Sequence, residues 1–172
     1  VSPESAAPIG ILLIGHTPFA SALMECARHV YGSEPDAVAV LDVTPNCDPQ
    51  AVVEKAREQI AQLDQGRGVL VLTDLFGATP CNIASHLGKV GRVEILTGVN
   101  MPMLLRALTY RNSSTLEALV DKASTGATAG VMKLGSTAPQ NQVVPNQAGS
   151  GADANSSPDG AANALARLRD QQ

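Results

Sequence analysis

Aromatic residues are scarce in this sequence. Trp is absent, and two Phe and two Tyr make up 2% of the 172 residues. A core must therefore be built from Val, Leu, Ile and Ala, within a hydrophobic content of 44%. Cysteine is scarce as well. Cys26, Cys47 and Cys81 are odd in number and form no CxxC pair, which argues against a disulfide framework and a recognisable zinc site. Positive charge is in deficit: 12 Lys and Arg against 16 Asp and Glu give a net charge of −4. A nucleic-acid binder needs a basic face, so that class is set aside. No apolar run approaches the roughly 20 residues of a membrane span, and no signal-peptide pattern opens the chain. A soluble protein of a reducing, cytoplasmic compartment fits these absences, with no membrane insertion. A Gly-rich P-loop and a Rossmann fingerprint are also missing, which weakens nucleotide readings.

What is present is a regular alternation. "IGILLIG" (9–15), "AVAVLDV" (37–43), "GVLVLTDL" (68–75) and "VEILTGV" (93–99) are apolar runs rich in β-branched residues. Such runs read as strands buried on both faces. Between them lie segments with helical spacing. One opens at Thr17-Pro18, with Thr17 as N-cap and Pro18 at the first helical position. Another is capped by Asp48 ahead of Pro49, and a third opens at Pro80. "NMPMLLRALTY" follows the fourth run, and Ser114 with Glu117 has capping-box spacing for one more helix. "GVMKL" (130–134) reads as a short final strand. The pattern predicts an α/β fold, an open, mostly parallel sheet with helices on both faces and strand order 2-1-3-4. Residues 1–134 form the domain. Residues 135–172 are polar and rich in Pro, Gly, Ser and Asn, as in a flexible tail, with a short helical pattern in "AANALARLRDQQ".

In such sheets, ligands collect beyond the carboxyl ends of the strands, where strand order reverses. Order 2-1-3-4 puts the ends of the first and third runs side by side, so His16 faces Asp74. A carboxylate that accepts the Nδ1–H of an imidazole fixes its tautomer and leaves Nε2 as a nucleophile. Helices opening at Pro18 and Pro80 direct free N–H groups toward the same place, a natural phosphate cradle. Gly77 lets the loop backbone come close, and Thr17 and Thr79 offer hydroxyls. His29 and His86 lie in helical stretches without acidic partners and read as structural or surface residues. Only His16 and Asp74 stand out among metal-binding residue types at the strand ends, so neither a metal nor a cofactor is expected. Phe19 and Phe76 both fall in these loops, either as an apolar rim for a docking protein or as core residues.

Three segments, "IGILLIGHTPFASAL", "GVLVLTDLFGATPCNIA" and "VEILTGVNMPMLLRAL", together resemble the mannose-family enzyme IIA domain of the bacterial phosphoenolpyruvate-dependent sugar phosphotransferase system. They come in the family's order and spacing, over about residues 9 to 134. The resemblance implies a carrier that takes a phosphoryl group from HPr on His16, with Asp74 as its hydrogen-bonded partner, and hands it to a separate IIB protein or a regulatory target. It implies that Gly77, Ala78 and Thr79 contact phosphate, that Asn100, Met101 and Pro102 line the site, and that the protein is a homodimer exchanging a C-terminal strand. Ala78 departs from the family's Gly-Gly-Ser/Thr-Pro pattern. If that position needs a positive φ, alanine costs about 1 kcal/mol or more. The phosphocarrier subunit of dihydroxyacetone kinase shares the histidine strategy but lacks a "GATPCN"-like motif. A flavodoxin-like anion- or effector-binding module without phosphotransfer is the alternative from another class.

Overall fold

Successive residues along a buried strand face opposite ways, and the first strand shows this directly. In the computed structural model, which describes residues 7–133, β1 (Gly10–His16) sends Ile11 and Leu13 to one face of the sheet. Leu12 and Ile14 go to the other. β2 (Val38–Val43), β3 (Val69–Thr73) and β4 (Val93–Thr97) complete a parallel sheet of order β2-β1-β3-β4, as predicted. α1 (Phe19–Tyr31), α4 (Met101–Tyr110) and α5 (Leu116–Ala129) cover the first face through Met24, Leu104, Leu108 and Leu119. α2 (Pro49–Leu63) and α3 (Thr79–Ser85) cover the second through Val53, Ala56, Ile83 and Ala84. Each fully buried Leu or Ile contributes about 1.5–3 kcal/mol, so aliphatic side chains suffice without aromatics. These elements all lie within the unit Val1–Val131. Among the described residues, no helix is long and apolar enough to cross a membrane.

The helix starts refine the sequence reading. Asp48 caps α2 as expected, accepting the Gln50 N–H at 3.0 Å, with Pro49 following it. Thr17 does not cap α1. His16 still belongs to β1, Thr17 donates its N–H to the Val43 carbonyl, and the N-cap is Pro18, joined to Thr17 by a cis peptide bond. A side chain from another strand does the capping instead: Asp42 Oδ1 accepts the Ser21 N–H at 3.2 Å. The capping box at Ser114 does not form. Thr115 is the N-cap of α5 and accepts the Ala118 N–H, while buried Ser114 gives its carbonyl to Arg67. α3 opens at Thr79, one residue before the predicted Pro80.

The predicted final strand at 130–134 is absent among the described residues. Gly130 caps the end of α5, and residues 131–133 are exposed without regular structure. Gly130 passes so close to Pro102 that a Cβ there would lie 2.2 Å from Pro102 Cγ. Only glycine fits this close approach. Leu134, the tail 135–172 and its helical pattern lie outside the described residues.

Two arginines tie together the connections away from His16. Arg67 donates to the carbonyls of Ala7, Asn112 and Ser114, at 3.1, 2.9 and 2.5 Å. Arg111 is 2% exposed and binds the carbonyl and carboxylate of Asp36, just before β2. Arg111→Ala should lower stability by about 2–4 kcal/mol, through a buried void and a lost charge-assisted tie. Urea unfolding checks this, and a loss below about 0.5 kcal/mol would show the guanidinium to be dispensable.

Candidate functional site

His16 ends β1, and Asp74 follows the last residue of the neighbouring strand β3. The Asp74 carboxylate reaches back across that strand pair. Its Oδ2 accepts the His16 backbone N–H at 2.7 Å and lies 2.7 Å from His16 Nδ1. Its Oδ1 accepts the Leu75 N–H at 2.7 Å. An ionised carboxylate only accepts hydrogen bonds, so in this pair Nδ1 carries the proton. Nε2 of the neutral ring keeps its lone pair. The His16 side chain is 50% exposed, whereas that of Asp74 is only 10% exposed. The site thus presents a nucleophilic nitrogen to solvent and shelters the group that orients it.

Competing effects act on the Asp74 carboxyl. Desolvation by burial pushes its pKa up, and this is the largest single effect. The His16 backbone N–H, the His16 ring and the Leu75 N–H push it down, and together they prevail. The carboxyl therefore sits below its ordinary value and stays ionised at neutral pH.

The phosphate-loop residues have a definite shape. Ala78 N–H donates to the Leu75 carbonyl at 3.3 Å, closing a turn whose third residue is Gly77 at φ 78°. That position requires glycine, as in a type II turn. Ala78 is extended, with φ −83° and ψ 169°, so the conformational cost entertained for alanine does not arise. Thr79 is exposed as the first residue of α3, and Thr17 is exposed next to His16. Asp42 already occupies the Ser21 N–H, so the start of α1 is less open to an anion than its sequence implied.

The residues at the end of β4 are mainly occupied elsewhere. Asn100 Oδ1 caps α4 by accepting the Met103 N–H at 3.0 Å, and its Nδ2 donates to the Ala127 carbonyl of α5 at 3.1 Å. Met101 packs against the core, and Pro102 meets Gly130. The phenylalanines are not core residues. Phe76 is 81% exposed at the turn, beside Leu75 at 62%, and Phe19 is 39% exposed. His29 and His86 are both exposed, on the last turn of α1 and at the end of α3.

Sequence reasoning overlooked three residues here. Gly15 leaves room for the pair: a Cβ on it would stand 3.3 Å from Asp74 Oδ2 and 3.2 Å from Phe19 Cδ1. A glycine inside an apolar strand run was the available signal of close approach. Asp42 was visible as the lone charge within "AVAVLDV". Leu75 gave no signal, because a leucine after a strand looks like core.

The chain is similar to several known proteins. The family model EIIA-man, described as PTS system fructose IIA component, matches residues 10–124. The fructose-specific EIIA component of Bacillus subtilis is 32% identical over 114 residues, 66% of this chain and 77% of that protein. The mannose-specific EIIAB component of Escherichia coli K12 is 34% identical over 105 residues, 60% of this chain but only 32% of that protein. The crystal structure of an EIIA component from Streptococcus agalactiae matches with a TM-score of 0.66 at 25% identity, covering 73% of this chain and 96% of that one.

The lowered Asp74 carboxyl makes a pH prediction. A group whose folded pKa is depressed adds stability above its unfolded pKa and loses it as pH falls through the folded value. In urea unfolding, the advantage of the parent over Asp74→Asn should be full at neutral pH and shrink in acid, below the ordinary aspartate range. A difference independent of pH would remove the charge from the account.

Proposed function

The chain belongs to the EIIA-man family of phosphotransferase-system IIA components, and from that premise we propose that it carries a phosphoryl group on Nε2 of His16. HPr is the donor and a IIB protein or regulatory target the acceptor, in sugar uptake or its control. The observation that carries the reading is the Asp74 carboxylate, shared between the His16 backbone and Nδ1 at 2.7 Å each. That bond holds the ring, selects the tautomer and favours the charged imidazole that forms on phosphorylation.

His16 Nε2 attacks the donor's phosphohistidine in line. The N–P bond to the donor breaks as the new one forms, and the donor imidazole leaves as a neutral ring. The Gly77 backbone N–H, with the hydroxyls of Thr79 and Thr17, stabilises the phosphoryl oxygens, while the Ala78 N–H is taken up by the Leu75 carbonyl and shapes the turn instead. Transfer between two imidazoles has leaving groups of matched ability, so the reaction needs no metal. Phe76, Leu75 and Phe19 form the apolar rim on which the carrier docks, supported by their exposure. Met101 and Pro102 line its far side, and Asn100 fixes the two helices behind it. Residues 1–134 are the IIA domain, which works in the cytoplasm as a homodimer. The family likeness is the ground for that assembly.

Incubation with phosphoenolpyruvate, enzyme I and HPr should add one phosphoryl group to the parent and none to His16→Ala, read by intact mass. A module that only binds an anion would gain no mass in either, and that outcome would refute the carrier reading. Phe76→Ala should weaken HPr binding about tenfold or more, measured by calorimetry, with the melting temperature unchanged. Equal affinity would sink the rim role.

A further inference from the structure

The carrier reading places a demand on the site that its local charges do not meet. A phosphoryl group on His16 adds negative charge. The segments at the carboxyl ends of the four strands, residues 16–19, 43–48, 74–79 and 98–100, contain no Lys or Arg. Acidic residues are present instead. Asp48 is occupied at the start of α2, and Asp74 holds the His16 ring. A further acidic residue, Asp42, lies just ahead of these segments, inside β2, and pairs in register with Gly15, the residue before His16. Asp74 Oδ2 approaches that same glycine. Asp42 bonds the helix at Ser21 rather than the ring. Capping calls for an acceptor and not for a charge, since Asn and Asp serve about equally there.

We propose that Asp42 sets the phosphoryl-transfer potential of His16, its negative charge raising the free energy of the phosphorylated form so that the group passes on readily. The inference rests on the carrier reading above. In the exchange, one N–P bond breaks on HPr and one forms on Nε2, so bonds balance and only the location of the negative charge changes. Asp74 offsets its own repulsion by hydrogen-bonding the ring. Asp42 repels without that compensation, and the effect is weakened by salt.

The test mixes phosphorylated HPr with the parent, Asp42→Asn or Asp42→Ala and reads the equilibrium partition by intact mass. The measurement is made at about 20 mM and about 500 mM salt, with folding checked by circular dichroism. Both variants should hold more phosphoryl than the parent, with the exchange constant raised about three- to tenfold at low salt and the gap narrowing at high salt. A shift in Asp42→Ala alone would reduce Asp42 to a helix cap and overturn the proposal. Equal partition in all three would overturn it as well. Failure of the parent itself to accept phosphoryl from competent HPr would instead refute the carrier reading, and this inference with it.

Discussion

A single carboxylate oxygen, Asp74 Oδ2, holds the His16 backbone and ring at once. Much of the architecture serves that contact. Asp74 stands where β3 has just ended, so its side chain takes the His16 N–H that a further β3 carbonyl would have accepted in a longer ladder. Gly15 has no side chain to obstruct the approach. The parallel pairing of β1 with β3 brings together two residues 58 positions apart.

That pairing depends in turn on a two-layered core. The alternation of Ile11 and Leu13 with Leu12 and Ile14 forces helices onto both faces. Crossover helices are what allow neighbouring strands to run parallel. Small residues let the layers close. Ala27, Ala56, Ala84 and Ala107 are wholly buried, and the Gly126 backbone leaves no space for a Cβ beside Arg106. An interior of this kind has little room for aromatic rings. Both phenylalanines are consequently found outside it, near the histidine.

Polar contacts define where each helix begins, and they share out the groups around the site. Asp42 and Asn100 each stop or start a helix with a side chain and so stand close to the chemistry without being free for it. The Gly77 turn raises Leu75 and Phe76 into solvent. The resulting surface is apolar at its tip, acidic beneath and without a cation in the strand-end loops. A protein that docks there meets an exposed imidazole with its proton already placed.

The strand runs, the helix periods and the order 2-1-3-4 were legible in the sequence because they follow from burial on two faces, a property repeated over many residues. The pairing of His16 with Asp74 was legible for the same reason, since strand order alone makes them neighbours. Single contacts were less so. Thr17, Thr115 and Ala78 depended on backbone angles that local composition does not specify, and Asp42 became a cap only when β2 lay beside β1. The close approach of Gly130 to Pro102, 28 positions away in the chain, likewise arises only in the fold. Sequence by itself determined the layers and the pair of residues at their edge. Tertiary structure decided which hydrogen bonds each polar group makes, because a donor chooses among acceptors only after the strands have brought them within reach.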